Sequence, residues 1–495
     1  MRQRLSALGL ADMSQKLDAG ERLSFDDGVR LFDCPDLLAL GWLANREREK
    51  RHGGRTYYNF NIRLEATNVC VASCLFCSFA RLKPGDAGSY TMSLEQAWDK
   101  LRQRADQPLT EIHVVNGLHP DLPFDYYLDL LRGFKRIRPD IHLKCFTAVE
   151  IAFFADLYGM SDERVLRELR AAGLDSLPGG GAEVFAERVR RKICHDKCGT
   201  DRYLDIHRQA HGMGMRSNIT MLYGHIETPA ERVDHMLRTR ALQDETGGLQ
   251  AFIPLAFHPD NNQMRKLPPP TAADSLRVHA VSRLMLDNIP HVKAFWIATG
   301  VEVAQLALWF GVDDLDGTVQ EEKIYHMAGS KTPEGMTTKA IRHLIRTAGR
   351  DPYERDTESV RRDVEIGFVS AEAAQRNYGV VVRDGVLDSA ATARVRRSRV
   401  RENRHADFDF GPEREAWEAV FDDAILLEIN RRLYALPKSV RHERRKRLFE
   451  AAVPDLPPAG QGSLAQALAD PDAARARLAR AIDEILGPGP ALAAE

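Results

Sequence analysis

The chain lacks the segments that would carry it into or across a membrane. No uninterrupted apolar run approaches the roughly 20 residues that a transmembrane helix needs, and no short apolar stretch typical of a secretory signal stands near the N-terminus. Net charge is also nearly absent, because 69 Lys and Arg residues face 71 Asp and Glu residues. The total charge therefore gives no reason to expect a nucleic acid or a membrane as partner. We expect a cytoplasmic protein that acts on a small molecule.

Cysteine is scarce and unevenly distributed, which excludes a disulfide framework. Of seven cysteines in 495 residues, three fall within the stretch Cys70-Val-Ala-Ser-Cys74-Leu-Phe-Cys77. Three thiolates at this spacing can hold three irons of a cuboidal [4Fe–4S] cluster, and the fourth iron then stays open to bind another molecule. A zinc knuckle is the alternative, but it needs a fourth Cys or His nearby, and none follows before His113.

Short apolar runs alternate with stretches of helical periodicity, which predicts repeated β/α units. The predicted strands are Asn61–Ala66, Glu111–Val115, His142–Thr147, Ser176–Leu177, Arg216–Leu222, Ala251–Leu255 and Lys293–Ile297, with an eighth near Val312–Leu315. This order predicts an α/β protein with a (β/α)8-type parallel barrel, whose chemistry gathers where the strands end. We assign residues 1–55 to an N-terminal helical segment that precedes the barrel.

The predicted strand ends carry glycines, carboxylates and histidines, which a purely structural barrel has little reason to gather on one face. The residues that stand out are Asn116, Gly117, Gly179, Gly180, Glu183, His225, Glu227 and His258. Glycines there are either ordinary turns or points of close backbone approach to a ligand. The two glutamates either cap helices or bind ribose hydroxyls, and the histidines are either structural or functional.

Two further cysteines, Cys194 and Cys198, lie at x3 spacing on one face of a predicted helix. They are two ligands short of a metal site. Cys34 and Cys145 are expected in the core, because a lone cysteine behaves as a small apolar residue.

The cysteine spacing resembles that of radical S-adenosylmethionine (SAM) enzymes. An ordered set of motifs from about residue 45 to about residue 357 is more closely similar to the aminodeoxyfutalosine synthase family. The motifs are Glu65-Ala-Thr-Asn68, Gly117-Leu-His-Pro-Asp-Leu-Pro-Phe124, Phe146-Thr-Ala-Val-Glu-Ile151, Asp175-Ser-Leu-Pro-Gly-Gly-Gly-Ala-Glu183, Met221-Leu-Tyr-Gly-His-Ile-Glu-Thr228, Phe252-Ile-Pro-Leu-Ala-Phe-His-Pro259 and Asp313-Asp-Leu-Asp-Gly-Thr-Val319. Asn116 departs from the family pattern, in which a glycine is expected before Gly117.

The resemblance implies an addition reaction. One electron cleaves SAM at the open iron, and the 5′-deoxyadenosyl radical adds to the vinyl carbon of 3-[(1-carboxyvinyl)oxy]benzoate. Rearrangement and loss of carbon dioxide give 6-amino-6-deoxyfutalosine, on a route to menaquinone. The implied cofactors are a [4Fe–4S] cluster and SAM, and the implied partners are this enolpyruvyl benzoate and an electron donor such as flavodoxin or ferredoxin. A homodimer is compatible with the resemblance.

The same resemblance assigns roles to individual residues. Cys70, Cys74 and Cys77 are the expected cluster ligands. The expected cofactor-binding residues are Phe76, Asn116, Gly117, Gly179, Gly180, Glu183 and Glu227. The substrate carboxylates need cations or hydrogen-bond donors, for which the candidates are Arg81, His225, His258 and Arg283. A salt bridge on the barrel rim is an equally good account of Arg81.

Two other functions stay open at this point. The sibling families, cyclic dehypoxanthine futalosine synthase and the halves of deazaflavin (FO) synthase, share the cysteine loop and barrel. A sibling that abstracts hydrogen and cyclises its substrate is therefore the nearest alternative. A different class is a zinc-stabilised scaffold whose basic C-terminal region binds a macromolecule.

The motifs of the family resemblance end near residue 357, so we assign residues 56–358 to the barrel and 359–495 to a smaller C-terminal α+β extension, which differs in character from the barrel. A hairpin is predicted at Tyr378–Asp388, and a helical run is predicted to begin at Phe408–Trp417. The arginine-rich stretch Arg394–Arg404 is either a solvent-exposed face or a nucleic-acid contact. The extension weakly resembles the C-terminal piece of hydantoinase B and acetone carboxylase large subunits, which implies an interaction or oligomerisation module. A loop is expected from Pro457, and disorder is expected from Pro488 onward.

Overall fold

The structure is a computed structural model that describes residues 1–104, 107, 109–353, 381–383, 386–388, 391, 416–417, 419–436, 438–454 and 468–487. The chain divides into two compact units, Met1–Arg396 and Arg397–Glu495. The domain boundaries expected near residues 55 and 358 stay predictions. The arginine-rich stretch 394–404, the predicted loop at 457–462 and the tail from 488 lie outside the described residues, as does most of 408–417.

The first unit opens with helices α1 (Arg2–Ala7), α2 (Ala11–Ala19), α3 (Phe25–Asp33) and α4 (Leu37–His52). The hydroxyl of Ser24 and the carboxylate of Asp27 form a reciprocal capping box that starts α3. Gly53 ends α4 in a positive-φ conformation that favours glycine. The predicted helical start of the chain is confirmed.

A seven-stranded parallel sheet follows, in which each strand pairs with the next along the chain. Its strands are numbered β2 to β8: Asn61–Leu64, Glu111–Val114, His142–Cys145, Ser176–Leu177, Arg216–Tyr223, Leu249–Ala256 and His291–Val292. Strand β9 (Asp314–Gly317) takes the eighth place, because parallel bridges join Lys293 to Asp314 on one side and Ile62 to Gln320 on the other. The predicted parallel α/β barrel is confirmed.

Helices follow the strands along the rest of the first unit. They are α5 (Leu94–Arg102), α6 (Phe124–Ile137), α7 (Ala148–Tyr158), α8 (Asp162–Ala171), α9 (Glu187–Ile193), α10 (Thr200–Gly212), α11 (Pro229–Thr246), α12 (Ala272–Met285), α13 (Trp296–Thr299), α14 (Val301–Ala307), α15 (Ile324–Met327) and α16 (Thr338–Thr347). The helices from α5 to α14 lie between consecutive strands of the barrel. Capping boxes start α7, α11 and α12 immediately beyond the strand-end loops. These capping boxes therefore define the residues at which the three preceding loops end.

Three features differ from the predicted elements. Of the predicted strand Lys293–Ile297, Lys293 still bridges to Asp314, but the chain turns into α13 at Trp296. Cys194–Cys198 does not continue a helix, since α9 ends at Ile193. An unpredicted small parallel sheet joins β1 (Arg55–Asn59) to β9 and to β10 (Asp351–Tyr353).

Strands β11 (Val382–Arg383) and β12 (Val386–Leu387) form an antiparallel pair, which confirms the predicted hairpin. The second unit is described by helices α17 (Asp423–Ala435), α18 (Lys438–Ala452) and α19 (Pro471–Leu486). They have their own apolar core, in which the rings of Trp417, Phe421 and Phe449 pack together. Among the helices of the described ranges, none has the length and apolarity needed to cross a bilayer.

Candidate active site

A cavity of about 260 Å³ lies inside the barrel, at the ends of its strands. It is lined by inward-facing side chains of β2, β3, β6 and β7 and by the loops that follow several strands. Parallel barrels place their active sites at this end of the strands. Ten of the fourteen predicted site residues line the cavity: Cys70, Cys74, Phe76, Cys77, Asn116, Gly117, Gly179, Gly180, Glu183 and His258.

The cysteine loop forms one wall of the cavity, and its three thiols are the cysteines among the lining residues. Burial raises the pKa of Cys70, and it raises the pKa of Cys74 to about 12. A thiol with such a pKa keeps its proton at neutral pH unless a metal ion replaces it. Three neighbouring thiols, of which Cys74 is buried and the other two are half-buried, beside this cavity fit a [4Fe–4S] cluster with one open iron.

Neighbouring segments hold the cysteine loop in place through its backbone. The amide of Val71 donates to Leu118 (3.0 Å), the amide of Leu75 donates to Ile193 (2.9 Å), and the carbonyl of Leu75 accepts from Gln263 (2.9 Å). Ser73 adds two 2.7 Å hydrogen bonds to Asp196. Later parts of the chain thus hold the backbone of the cysteine loop in place.

Gly117 packs directly against the cysteine loop. A Cβ atom there would lie 2.2 Å from the carbonyl oxygen of Val69, which no side chain can tolerate. Its neighbour Asn116 is fixed by two hydrogen bonds, because its Oδ1 accepts from Ala66 at 2.7 Å and its amide donates to Glu150 at 3.0 Å. The glycine therefore has a packing function in addition to the cofactor contact predicted for it.

The loop after β5 brings Gly179 and Gly180 to the opposite side of the cavity. A Cβ on Gly179 would meet the Asn218 backbone at 2.8 Å, and the Gly179 carbonyl accepts hydrogen bonds from Tyr203 and Thr220, each 2.7 Å. Backbone groups held this rigidly can approach a ligand closely.

Glu183, at the end of this loop, has a φ of 47°, which is uncommon for a residue other than glycine. Its carboxylate accepts a 2.6 Å hydrogen bond from Lys197. Burial alone would lower the pKa of Lys197, but its neighbours, first among them the Glu183 carboxylate, outweigh burial and hold that pKa well above its ordinary value. The ammonium group also lies 5.3 Å from the ring of Phe76, so this ion pair links the glycine-rich loop to the cysteine loop.

His258 lines the cavity, with Nε2 2.8 Å from the carbonyl oxygen of Ala298. A neutral or charged imidazole must donate this hydrogen bond, because a carbonyl only accepts. The edge of the ring packs against Tyr325, with centroids 5.2 Å apart. Of the four residues predicted to bind substrate carboxylates, His258 is the one the structure brings to the cavity.

Arg81 and Arg283 do not reach the cavity. The guanidinium of Arg81 clamps its own loop, with Nη1 donating to the carbonyls of Ser78, Phe79 and Ala80 and Nε to that of Ala87. Arg283 is fully buried in an ion pair with Asp313. Both side chains are occupied by the fold, so neither is placed to meet a substrate carboxylate.

His225 and Glu227 brace the loop after β6 and lie outside the cavity. The carboxylate of Glu227 accepts from the amides of Gly224 (2.6 Å) and His225 (2.9 Å) and pairs with Arg232. The imidazole Nε2 of His225 is 3.0 Å from the carbonyl of Leu222. Burial lowers the pKa of His225, so its neutral form is favoured. These contacts stabilise the loop and leave neither side chain directed at a ligand.

Comparison with protein families agrees with this site. Residues 64–238 match the radical SAM superfamily model, and residues 246–366 match the model described as the CofH/MqnC C-terminal region. Aminodeoxyfutalosine synthase of Thermus thermophilus is 47% identical over 361 residues, which cover 72% of this chain and 96% of the relative. The Streptomyces coelicolor enzyme of the same name is 47% identical, with coverages of 70% and 92%. The chain belongs to the aminodeoxyfutalosine synthase family.

Members of neighbouring families are less similar. Cyclic dehypoxanthine futalosine synthase of Halalkalibacterium halodurans is 37% identical over 72% of this chain and 96% of its own. Among solved structures, methylornithine synthase (PylB) superposes with a TM-score of 0.56 at 15% identity, covering 69% of this chain and 97% of that chain. Its likeness shows the barrel fold. Membership of the radical SAM superfamily implies a [4Fe–4S] cluster and SAM as cofactors.

The cavity also contains ionisable residues that the sequence alone does not assign to the site. They include Arg63, Glu65, His113, Lys197, Asp316 and Glu322. Burial raises the pKa of Glu65 to about 8, with the nearby Glu322 adding to the shift. Arg63 and His113 lie inside predicted strands, whereas the chemistry of a parallel barrel is expected at the strand ends. The signal that could have found them is a charged residue within a barrel strand, since such strands are usually apolar.

Proposed function

We propose that this enzyme joins the 5′-deoxyadenosyl group of SAM to 3-[(1-carboxyvinyl)oxy]benzoate with loss of carbon dioxide, and so forms 6-amino-6-deoxyfutalosine for menaquinone biosynthesis. The observation that carries the proposal is the 47% identity that extends over 96% of a named aminodeoxyfutalosine synthase. The cavity supports it, because the cysteine loop and the predicted cofactor-binding glycines border one enclosed space.

Different residues around the cavity would have different roles in the reaction. Cys70, Cys74 and Cys77 would hold the cluster, which when bound supplies the electron that cleaves the C–S bond of SAM. The rigid backbone at Gly117, Gly179 and Gly180 would hold the cofactor in a fixed orientation, together with side chains that line the same space: Phe76, Asn116 and Glu183. Apolar lining side chains such as Leu222 and Ile253 exclude water, which protects a reactive radical from side reactions.

The proposal also covers the electron donor, the cellular compartment and the C-terminal extension. The electron donor would be a small reductant such as flavodoxin or ferredoxin, and the reaction would take place in the cytoplasm. The C-terminal extension would act as an interaction or oligomerisation module, and a homodimer is one form that such a module would stabilise.

A product assay tests the reaction. Reconstituted and reduced enzyme is incubated with SAM and the enolpyruvyl benzoate, and the products are separated and identified by mass. We expect 6-amino-6-deoxyfutalosine, carbon dioxide and methionine. Free 5′-deoxyadenosine without an adenosyl–substrate adduct would instead indicate a sibling that abstracts hydrogen.

Metal analysis of the anaerobically purified protein tests the alternative function, a zinc-stabilised binding scaffold. We expect iron and acid-labile sulfide in a ratio near that of a [4Fe–4S] cluster. About one zinc per chain, without iron or sulfide, would contradict an enzymatic function and support a zinc-stabilised scaffold.

A further inference from the structure

Two nitrogen atoms at the deep end of the cavity are buried and have no hydrogen-bond acceptor among the described residues. They are Nε of Arg63 and Nε2 of His113. The two residues face each other on neighbouring strands, since their Cα atoms are register partners in the β2–β3 pair. Both line the cavity.

The contact between the two side chains decides which atoms carry hydrogens. Nη1 of Arg63 is hydrogen-bonded to Nδ1 of His113. A guanidinium can only donate, so Nδ1 accepts and the proton of the neutral imidazole lies on Nε2. Burial and the charge of Arg63 hold the pKa of His113 well below its ordinary value, which agrees with the neutral form. Arg63 Nε–H and His113 Nε2–H are therefore both donors.

Buried donors without acceptors are rare in native proteins, because each costs about 1–3 kcal/mol. Two such donors lie in neighbouring side chains beside the cavity. We therefore expect a ligand that enters the cavity to supply the hydrogen-bond acceptor. A carboxylate has two oxygens with about four lone-pair sites and forms charge-assisted hydrogen bonds with guanidinium and imidazole groups.

The charges around these donors suit an anion. Asp316 is the carboxylate nearest to Arg63, at 2.7 Å from Nη2, but it is shared with Lys293 at 2.9 Å. Lys293 also lies 3.5 Å from Asp314, whose pKa is raised by burial. Below them, Lys144 and Glu111 form a separate ion pair at 2.5 Å. Arg63 thus shares its carboxylate partner with Lys293, and its Nε–H is left without an acceptor among the described residues.

Glu65 does not oppose an anion at neutral pH. It lies two residues beyond Arg63 on the same inward side of the chain, about 7 Å along the strand direction. Its pKa of about 8 keeps its carboxyl group protonated at pH 7. The other carboxylate of this wall, Glu322, is already hydrogen-bonded to the amide of Tyr325 and to His326.

We infer that Arg63 and His113 form a carboxylate subsite that binds the ring carboxylate of the substrate. The cysteine loop and the glycines lie at the strand ends, whereas these two residues lie within β2 and β3 and therefore deeper in the barrel. The vinyl carbon must lie near the cofactor, so the carboxylate at the far end of the molecule reaches the deep end. The identity of this ligand rests on the proposed function.

Binding measurements with matched ligands and variants test the subsite. Dissociation constants are measured by anaerobic calorimetry on the reconstituted enzyme for the enolpyruvyl benzoate and for the same ether without its ring carboxylate. The variants are Arg63→Lys, His113→Asn and His113→Gln, with the exposed Arg132→Lys on α6 as control. Glutamine places an amide nitrogen near the position of Nε2, whereas asparagine reaches only the position of Nδ1.

We expect Arg63→Lys and His113→Asn to weaken binding of the carboxylate ligand at least about tenfold. Binding of the ligand without the carboxylate should change less than about twofold, because the lost contact is absent from it. His113→Gln should recover most of the affinity, and Arg132→Lys should behave as wild type. Thermal melting of each variant monitors folding. Equal effects on both ligands, or none, would overturn the subsite.

A fragment pair separates failure of the subsite from failure of the proposed reaction. If wild-type enzyme forms no adduct, 3-hydroxybenzoate and phenol still report on the two donors. If the wild-type enzyme forms no adduct but binds 3-hydroxybenzoate more tightly than phenol, and Arg63→Lys loses this preference, the subsite is supported and the proposed reaction is rejected. An adduct formed without any dependence on Arg63 or His113 would support the reaction and reject the subsite.

Discussion

At the scale of single residues, the most predictable part of the site is the cysteine loop. Its three ligands stand within eight residues, so their meeting depends on local spacing alone. Arg63, His113 and Glu65 could not be found in the same way. Whether a strand residue faces the inside of the barrel depends on pairing with strands far away in the sequence. The two arginines selected from sequence, Arg81 and Arg283, instead bind backbone carbonyls and a buried aspartate.

Replacing Cys74 by alanine should abolish the cluster and leave the barrel folded. Cys74 is the buried one of the three thiols in the loop, and its loss leaves too few ligands to retain the cluster. Iron and sulfide content, with the visible absorbance of the cluster, measures the result. Cys34→Ala is the matched control, because Cys34 is buried outside the cavity. Retention of a full cluster in Cys74→Ala would contradict the ligand assignment.

Glu65 should make the stability of the apoprotein depend on pH. Its folded-state pKa of about 8 lies above its ordinary value of 4.5. The folded state therefore holds a proton that the unfolded state releases, and stability falls as pH rises between these values, by at most about 1.4 kcal/mol per unit. Glu65→Gln should remove this loss.

Chemical denaturation of both proteins at several pH values measures the effect. The difference in free energy of unfolding between Glu65→Gln and wild type should grow from pH 5 to pH 8 and then level off. Glu302→Gln, at an exposed position of α14, controls for the general effect of removing a carboxylate. A difference that does not change with pH would show that Glu65 is ionised in the folded protein.

At the scale of elements, strands bounded by turns were located to within about two residues. Ser176–Leu177 agrees with the structure, and Arg216–Leu222 differs by one residue. The run Lys293–Ile297 was assigned wrongly, because a short apolar run does not distinguish a strand from the start of a buried helix. The small sheet of β1, β9 and β10 was missed since it joins Arg55 to Asp351, a pairing that no local pattern indicates.

Gly117→Ala should disturb the element that carries the cluster. The added Cβ would lie 2.2 Å from the Val69 carbonyl oxygen, so the cysteine loop must move. We expect lower thermal stability and loss of iron during gel filtration. Gly212→Ala in α10 is the control, because no atom lies within 4 Å of its added Cβ, and it should stabilise the protein by up to about 1 kcal/mol. Full iron retention in Gly117→Ala would show that the loop adapts.

At the scale of the whole molecule, length and periodicity predict a barrel with residues to spare, whereas the separate C-terminal part is predicted from where the family motifs end. The chain does form two compact units, and the helices of the second have their own apolar core. The function of the second unit could not be derived, because its sequence places no cluster of chemistry-bearing residues in a recognisable order.

A chain that ends after Arg396 should fold and keep its activity. The first unit contains the barrel and the cavity, and the matched region of 361 residues already covers 96% of the Thermus thermophilus relative. We expect the same product at a rate within about threefold of the full chain, since no lining residue is removed. Size-exclusion chromatography of both chains shows whether the second unit sets the oligomeric state. An insoluble or inactive product would show that the barrel depends on it.

The hydrogen bonds that hold the cysteine loop also set an order for making the holoenzyme. Leu75 is bonded to Ile193 and to Gln263, so the loop lacks its last support until about 190 further residues have been synthesised. At 5–20 residues per second this interval lasts roughly 10–40 s. During that time the three thiols are tethered to the ribosome without a fixed geometry. Cluster insertion therefore belongs after synthesis of the barrel, and the nascent thiols depend on the reducing power of their surroundings until then.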